Sequence, residues 1–430
     1  MFHTPHQVCI HLKNHSVWQA AEYETNETIL NLSYYILFMP YLHIKDRDHI
    51  TKQLYAIKPL LKTQFQGSAV APFIGSVGYP HIRIGILSPA QQHPDAWKHD
   101  APRYWGLEQY SSQNIINLRA ALINSRLIAH IKSKPSMLSL IQEVSMASKP
   151  ADVEITLKKI PQLSFLSYQY NAPHGPKAEL NHARITSNPH VPAAIEKIVY
   201  DTDCKTTEAL TYLYTKGYDE TMLTRLLSVG NIGTTINRKL VPTRWSITAT
   251  DDIISKHLIT KLQDYPEASY ATYFGGYLGN YFLIITFPGP WSYELFEITT
   301  GTTPITYSTD HEFIYGRSSY ASETVGGYYA CRTAITQHLN TIRKSARVLA
   351  FLFITPEYKT PLGVWVVREA TRATLCTKPT YLSSITEAIN IAGTYAAQFG
   401  VDINYILKHS ALLSDIKNQQ SLLAFFTTHL

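Results

Sequence analysis

The sequence has little cysteine and no long hydrophobic run, and each shortage excludes a class of protein. The four cysteines in the 430 residues are Cys9, Cys204, Cys331 and Cys376. They are neither clustered nor spaced as Cys-x-x-Cys, which disfavours a disulfide framework and a four-cysteine zinc site. The longest apolar stretches, 34–42 and 348–354, are far shorter than the ~20 residues of a membrane-spanning helix. We therefore expect no membrane association.

Charged residues are also scarce, at 16% of the chain, whereas hydrophobic residues make up 45%. This balance excludes extensive intrinsic disorder. The length exceeds what one hydrophobic core usually serves, so we expect two or three domains of ~150 residues each. The chain opens with Met-Phe-His-Thr-Pro-His and shows neither the basic start nor the apolar run of a secretion signal. We expect a folded, cytoplasmic protein.

Short apolar runs predict several strands. Within 82–86 isoleucines alternate with Arg83 and Gly85, as in a half-buried strand that forms a hairpin with 70–74. Val153, Ile155 and Leu157 alternate with polar residues in the same way. Further strands are predicted at 281–287, 293–298, 348–354 and 363–368.

Helical spacing of apolar residues and capping signals predict the helices. The predicted helices are 114–131, 136–147, 335–346 and 384–400. Thr250 is a candidate N-cap for a further helix whose first turn holds Asp251 and Asp252. Residues 161–192 are crowded with Pro, His and Asn and predict a long loop. The fold class is therefore mixed α/β (α+β), with two domains of mixed sheets and flanking helices.

The positive charge is concentrated in two segments. The net charge is only +6, but 332–378 holds eight bases and two acids, and 225–261 holds six bases and two acids. If the two segments meet in the fold, they form a basic surface suited to DNA phosphates. The alternative is that these charges lie on solvated helix faces and strand ends. The candidate nucleic-acid contacts are Arg238, Lys239, Arg244, Arg343, Lys344, Arg347, Arg368 and Arg372.

Nine stretches of sequence point to a known family. They are FIGSVGYPHIRIGIL at 73–87, MASKPADVEITLKKIP at 146–161, HGPKAEL at 174–180, DTDCKTTEAL at 201–210, RKLVPTRWSITATDD at 238–252, YLGNYF at 277–282, GRSSYAS at 316–322, GGYYACRTA at 326–334 and PLGVWVVREATR at 361–372. In sequence and in order they resemble the archaeal Nre family of DNA repair proteins, and the resemblance covers about 67–430.

The resemblance implies a role in the response to DNA damage through the replication sliding clamp, PCNA. It also implies two family domains that divide near Gly301. We expect a variable N-terminal region at 1–66, an Nre N-terminal-type domain at 67–300, an Nre C-terminal-type domain at 305–412 and a tail at 413–430.

The N-terminal region departs from the family pattern. Typical members begin with a four-cysteine zinc cluster, whereas this chain has Cys9 accompanied by His3, His6, His11 and His15. Imidazole and thiolate are both zinc ligands, but the cysteines present do not support carrying the family's zinc over to this chain. No cofactor is assigned from the sequence.

The chain ends in NQQSLLAFFTTHL, which contains a candidate clamp-binding box. Gln419, Leu422, Phe425 and Phe426 fit the pattern Q-x-x-h-x-x-a-a. In a short helical turn these positions fall on one side, so the leucine and the phenylalanines form an apolar plug for a surface pocket. Aromatic anchors of this kind dominate affinity. A Leu/Phe stripe in a core helix is the alternative, and the resemblance favours the clamp box.

Candidate catalytic residues fall into three groups, although no standard catalytic motif is present. Arg244 with Asp251 and Asp252 could hold a metal and orient a phosphodiester, as in a nuclease; the favoured alternative is that the aspartates stabilise a helix N-terminus. An acidic group with Arg317 could also form, although solvated strand residues explain it better. The acidic residues of that group are Glu294, Glu297, Asp310 and Glu312.

A third group has a weak likeness to ADP-ribosyltransferase folds. Tyr328 and Tyr329 would then stack on nicotinamide, and Glu369 would support the attacking group. The favoured alternative places the tyrosines in the core and pairs Glu369 with Arg368 or Arg372. The sequence thus predicts a clamp-recruited DNA repair factor with a basic surface for DNA. The alternative is a DNA-processing enzyme, a metal-dependent nuclease or an ADP-ribosyltransferase-like protein, and whether the chain is an enzyme stays open.

Overall fold

Two six-stranded mixed sheets, each flanked by helices, carry the described part of the chain, which confirms the mixed α/β class. The computed structural model describes residues 47–161, 175–302 and 304–418. The strands are β1 (Gln64–Ala69), β2 (Ala71–Ile74), β3 (His81–Ser88), β4 (Ile123–His130), β5 (Ala151–Leu157), β6 (Lys177–Ile185), β7 (Ala271–Tyr277), β8 (Asn280–Phe287), β9 (Ser292–Thr299), β10 (Thr306–Glu312), β11 (Arg347–Ile354) and β12 (Thr380–Tyr381).

Thirteen α-helices lie within the same described ranges. They are α1 (Arg47–Ile57), α2 (Pro102–Leu107), α3 (Ser112–Ala120), α4 (Leu138–Met146), α5 (Ala193–Tyr200), α6 (Thr206–Thr215), α7 (Glu220–Ser228), α8 (Thr243–Leu262), α9 (Val325–Ile342), α10 (Trp365–Leu375), α11 (Ile385–Ala397), α12 (Ile403–Leu407) and α13 (Ala411–Asn418). Short 3₁₀ turns occur at Lys58–Leu60, Ala96–Asp100 and Thr235–Asn237.

The first sheet closes on itself through one bent segment of chain. Its strand order is β1-β5-β6-β4-β3-β2, so β1 and β2 stand at opposite ends of the order. Only Val70 separates these two strands, and its N–H donates to the carbonyl of Leu87 in β3 at 2.9 Å. A strand shared by both ends turns a sheet into a barrel. β4 and β6 pair parallel, and the other neighbouring pairs are antiparallel.

Alternation of side chains sorts the first barrel into a core and an outer face. Ile82, Ile84 and Ile86 are buried, as predicted from their spacing, and so are Val153 and Ile155. Their apolar side chains form one core with those of α4, the helix between β4 and β5. The residues between them therefore point outward, because successive side chains of a strand alternate between faces.

The second sheet is buried on both faces. Its order is β10-β9-β11-β8-β7-β12, and β11 pairs parallel with β9 and antiparallel with β8. All eight residues of β11 are buried, which explains its unbroken apolar sequence. One core is formed with α11, α12 and α13, while α10 packs on β7 and β8. Residues 300–305 connect β9 to β10, which pair antiparallel in this sheet.

Several predicted elements differ from the structure. The predicted helix at 114–131 ends at Ala120, and 123–130 is strand β4, whose pairing with β3 and β6 outweighs its helical spacing. The predicted strand at 363–368 is instead the start of α10, since a short apolar run does not distinguish a buried strand from a buried helix. The predicted loop at 161–192 contains β6. Thr250 is no cap, because α8 already begins at Thr243.

Candidate functional site

Four helices bring the predicted acidic and basic residues together inside the protein. Asp251 and Asp252 lie in the middle of α8 rather than in its first turn, and both are buried. α8 packs against α7 and α9, and α10 packs against α9. The segments 225–261 and 332–378 therefore do meet, which was the condition for a basic surface, but several of their charges face each other in the interior.

Arg332 of α9 is the centre of one ion-pair group. Its guanidinium bonds to Asp252, to Glu312 of β10 at 2.6 Å and to the hydroxyl of Ser255 at 3.0 Å. The guanidinium carbon lies 4.9 Å from the ring centre of Tyr329. Burial alone lowers the pKa of Arg332, but the neighbouring carboxylates outweigh burial and raise it. Arg332 therefore keeps its positive charge although it is buried.

Arg368 and Arg372 of α10 form a second group. Arg368 donates two hydrogen bonds to Asp251, at 3.1 and 2.5 Å. Arg372 pairs with Glu220 of α7 at 2.7 Å and with Glu369 at 2.6 Å. Burial alone raises the pKa of Glu220, but the two arginines outweigh it and hold that pKa well below its ordinary value. The pairing of Glu369 with Arg372 confirms the favoured alternative for this glutamate.

These contacts describe a brace between helices rather than an open site. Tyr328 and Tyr329 are buried in the core, which confirms their favoured alternative. Arg244 lies apart from them, exposed at the start of α8. Among the described residues, a cavity of about 470 Å³ is lined by residues within 139–143 and 185–189, and one of about 800 Å³ by residues within 301–307 and 399–406. Neither is lined by a catalytic candidate.

The acidic group around Arg317 is also buried rather than solvated. Asp310 accepts hydrogen bonds from the N–H groups of Ser322, Glu323 and Thr324 and pairs with Arg317 at 3.1 Å. Glu312 joins the Arg332 group, as described above. These carboxylates hold the loop before α9 and the helix itself.

The predicted DNA contacts are divided between interior and surface. Arg347 and Arg368 are buried, and Arg372 forms ion pairs with Glu220 and Glu369. The guanidinium of Arg238 donates to three backbone carbonyls, of Val199, Gly233 and Asp201, at 2.8 to 2.9 Å. The four remaining candidates have exposed or half-buried side chains. They are Arg244, Arg343, Lys239 and Lys344.

Another basic group, missed in the sequence, lies on the outer face of the first barrel. Arg83 of β3 is exposed, and Arg126 of β4 and Lys177 of β6 are half-buried. The register pairs Gly85 with Arg126 and Asn124 with Lys177, so these side chains share one face. The alternation of Arg83 with buried isoleucines was the available signal. Their common face depended on strand order, which the sequence did not predict.

Two predicted features lie outside the described residues. They are the clamp-binding box of Gln419, Leu422, Phe425 and Phe426, and the N-terminal group of Cys9 with its histidines. Within the described ranges, no cluster of three or more His, Cys, Asp or Glu side chains suited to a metal ion is found. None of the helices described is both long enough and apolar enough to cross a membrane.

Comparison with known proteins decides the family. The model of the archaeal Nre N-terminal region matches residues 42–305, and that of the Nre C-terminal region matches residues 312–425. The chain belongs to the archaeal Nre family. DNA repair protein NreB of Archaeoglobus fulgidus is 30% identical over 390 residues, which cover 87% of this chain and 97% of the relative.

Two further Nre relatives are similar. DNA repair protein NreA of Haloferax volcanii is 32% identical over 323 residues, covering 72% of this chain and 77% of the relative. DNA repair protein NreA of Archaeoglobus fulgidus is 33% identical over 329 residues, covering 74% and 82% respectively. No solved structure matches the chain. The predicted family resemblance is confirmed, and it is a family of DNA repair proteins.

Proposed function

We propose that this Nre protein is a DNA repair factor that binds the replication sliding clamp, PCNA, through its C-terminal segment and also binds DNA. The observation that carries the proposal is the pattern of Gln419, Leu422, Phe425 and Phe426 in a chain whose relatives are named DNA repair proteins. Two adjacent aromatic anchors preceded by a leucine suit a hydrophobic pocket on a partner.

The attachment of the preceding helix supports this role. Glu294 of β9 is buried and accepts hydrogen bonds from the hydroxyl of Ser410 at 2.5 Å and from the N–H groups of Ala411 and Leu412 at 3.0 and 3.1 Å. These bonds hold the start of α13 against the second sheet. α13 is the last described element, and Gln419 follows its residue Asn418 directly in the sequence, so the clamp-binding box is joined to an element that these bonds hold.

The test is clamp binding by the full chain with Phe425→Ala and Phe426→Ala together. We expect at least a ~30-fold loss of affinity, because truncating two aromatic anchors removes at least ~2 kcal/mol. The matched control is Leu423→Ala, which removes a similar apolar side chain at a position outside the pattern and should change affinity less than ~3-fold. Isothermal titration against purified PCNA measures both. Equal affinities for the wild type and the double variant would contradict the proposal.

A further inference from the structure

The first barrel has the connectivity of a known ligand-binding fold. β1 and β2 act as one bent strand, because only Val70 separates them. Counted so, the barrel has five strands in the spatial order 1-2-3-5-4-1, and its third and fifth strands, β4 and β6, pair parallel. The helix between the third and fourth strands, α4, packs on the core. This is the topology of the OB-fold, whose second and third strands bind oligonucleotides or oligosaccharides.

The outer face of those two strands is open to solvent. In register, His81 lies opposite His130, Arg83 lies opposite Ile128, and Gly85 lies opposite Arg126. Directly opposed residues share a face. Arg83 is exposed and Ile128 is 66% exposed. The face therefore combines positive charge with an apolar side chain and two imidazole rings.

The charge that β3 and β4 contribute to this face has one sign. On the neighbouring strand β6, Glu179 lies opposite Arg126 and pairs with Lys158 at 2.6 Å. Neither 71–94 nor 109–142, the segments that contain β2, β3 and β4, includes an Asp or Glu. Among the described residues, no carboxylate pairs with Arg83 or Arg126. Burial lowers the pKa of Lys177, and so do the nearby charges of Arg126 and Arg83. Positive groups that repel each other in this way are stabilised by a bound anion.

The loop after β4 extends the same charge. It carries Lys132 and Lys134, both exposed, before α4 begins. The N–H of Ile131 in this loop donates to the carbonyl of Pro80 at 3.0 Å, and Pro80 belongs to the loop between the first two strands of the barrel, one of the two loops that flank the ligand face of an OB-fold. The basic residues thus form a band that runs along β3 and β4 and continues into this loop.

We propose that the outer face of β3 and β4, named here the barrel face and defined by His81, Arg83, Arg126, Ile128 and His130, binds single-stranded DNA. The proposal deepens the DNA-binding role of the proposed function and rests on it. The arginines contact phosphates, and Ile128 with the imidazole rings contacts base faces. Such base faces are accessible in a single strand but stacked inside a duplex. A sugar chain would gain little from the positive charge of Arg83 and Arg126.

The test is fluorescence anisotropy of a labelled oligo-dT of ~20 nucleotides, titrated with the full chain at several salt concentrations. A length of ~20 nucleotides covers the site of one OB-fold. We expect Arg83→Ala with Arg126→Ala to weaken binding at least ~10-fold. The slope of log affinity against log salt should fall by ~1.4, because each phosphate contact to a single strand contributes ~0.7. Ile128→Ala should weaken binding ~5-fold with an unchanged salt slope.

Arg184→Ala is the matched control. Arg184 also projects from the outside of the barrel, on β6, but it is 67% exposed and pairs with Glu154 at 2.6 Å. Its loss should change the affinity for oligo-dT less than ~2-fold. Thermal unfolding of each variant verifies that the barrel is intact, since all these side chains point away from the core.

Three outcomes would overturn the proposal. One is equal affinity of the wild type and the Arg83→Ala, Arg126→Ala variant for oligo-dT. Another is an equal loss in the Arg184→Ala control. The third is competition by duplex DNA as effective as competition by the single strand, which would indicate a duplex site. Titration of the same variants against PCNA separates this result from the proposed function, because clamp binding through the tail should be unaffected.

Discussion

At the scale of single residues, the protein uses arginine mainly to neutralise carboxylates that its helices bury. Arg332, Arg368 and Arg372 each contact at least one buried carboxylate at 2.7 Å or less. A buried charge is costly, and its partner compensates that cost only while both are present. The sequence shows where these bases and acids lie along the chain, but not whether their side chains face solvent or the interior. A surface for phosphate and an internal brace require the same residue types.

Arg368→Ala should therefore be severely destabilising. It leaves Asp251 buried without its bidentate partner, so we expect a loss of ~3–5 kcal/mol in the free energy of unfolding. Lys256→Ala is the control: Lys256 pairs with the neighbouring Asp252 at 2.8 Å but is 56% exposed, and its loss should cost less than ~1 kcal/mol. Urea denaturation measures both. If both variants are equally stable, Arg368 is no part of a brace.

At the scale of elements, alternation predicted strands correctly, whereas apolar runs and capping residues each gave one wrong assignment, at 363–368 and at Thr250. The strands at 82–86 and 153–157 are confirmed by their burial. Ser384, where the capping signal Ser384 to Glu387 placed the start of the predicted helix 384–400, is the N-cap of α11 and accepts from the N–H of Glu387 at 3.2 Å. These signals depend on a few neighbouring residues. The run at 363–368 was misassigned because its conformation depends on packing against β7 and β8, and such tertiary contacts are not encoded locally.

The hairpin between β7 and β8 illustrates a local requirement. Leu278 and Gly279 join the strands with φ of 51° and 74°, the left-handed conformations of a type I′ turn. A Cβ at Gly279 would lie 2.5 Å from the backbone N of Tyr358. Gly279→Ala thus adds a steric clash to backbone strain, and we expect a loss of ~3 kcal/mol.

Gly217→Ala provides the matched control for this turn. Gly217 has a φ of 92°, but no atom lies within 4 Å of a Cβ placed there. Only the backbone strain remains, so the expected loss is ~1 kcal/mol. Chemical denaturation of both variants compares them directly. A Gly279→Ala variant as stable as Gly217→Ala would contradict the close approach of Tyr358.

At the scale of the whole molecule, family and fold class were predictable, whereas the location of functional surfaces was not. The order of nine motifs identified the Nre family, because ordered matches over most of a chain do not depend on the three-dimensional arrangement. The segments 225–261 and 332–378 were predicted to bind DNA only from their numbers of basic and acidic residues. The barrel face has fewer basic residues than those segments. Its residues come together only when β3 and β4 lie side by side.

Global stability should depend on acid pH through Glu220. The pKa of Glu220 is lower in the folded protein than in the unfolded chain, where it is ~4.3. Its stabilising contribution is therefore complete above about pH 4.3 and is lost as the pH falls through the folded-state pKa. We expect Glu220→Gln to be less stable than the wild type at pH 7, and the difference to shrink below about pH 4.

Urea denaturation of both proteins at pH 7, 5 and ~3.5 tests this expectation. Glu154→Gln is the control, since Glu154 pairs with Arg184 on the surface, and its effect should be small at every pH. A stability difference between the wild type and Glu220→Gln that is constant from pH 7 to ~3.5 would be inconsistent with a depressed pKa.

The passage of the chain through Val70 also bears on self-association. Unpaired strand edges template pairing with other chains and so promote aggregation and fibril growth. Because β1 and β2 are continuous, the two edges of the described barrel sheet are joined to each other at Val70. The second sheet ends on one side at β12, a strand of only two residues. A barrel closed in this way offers little unpaired backbone to a neighbouring chain, so self-association through its strand edges is disfavoured.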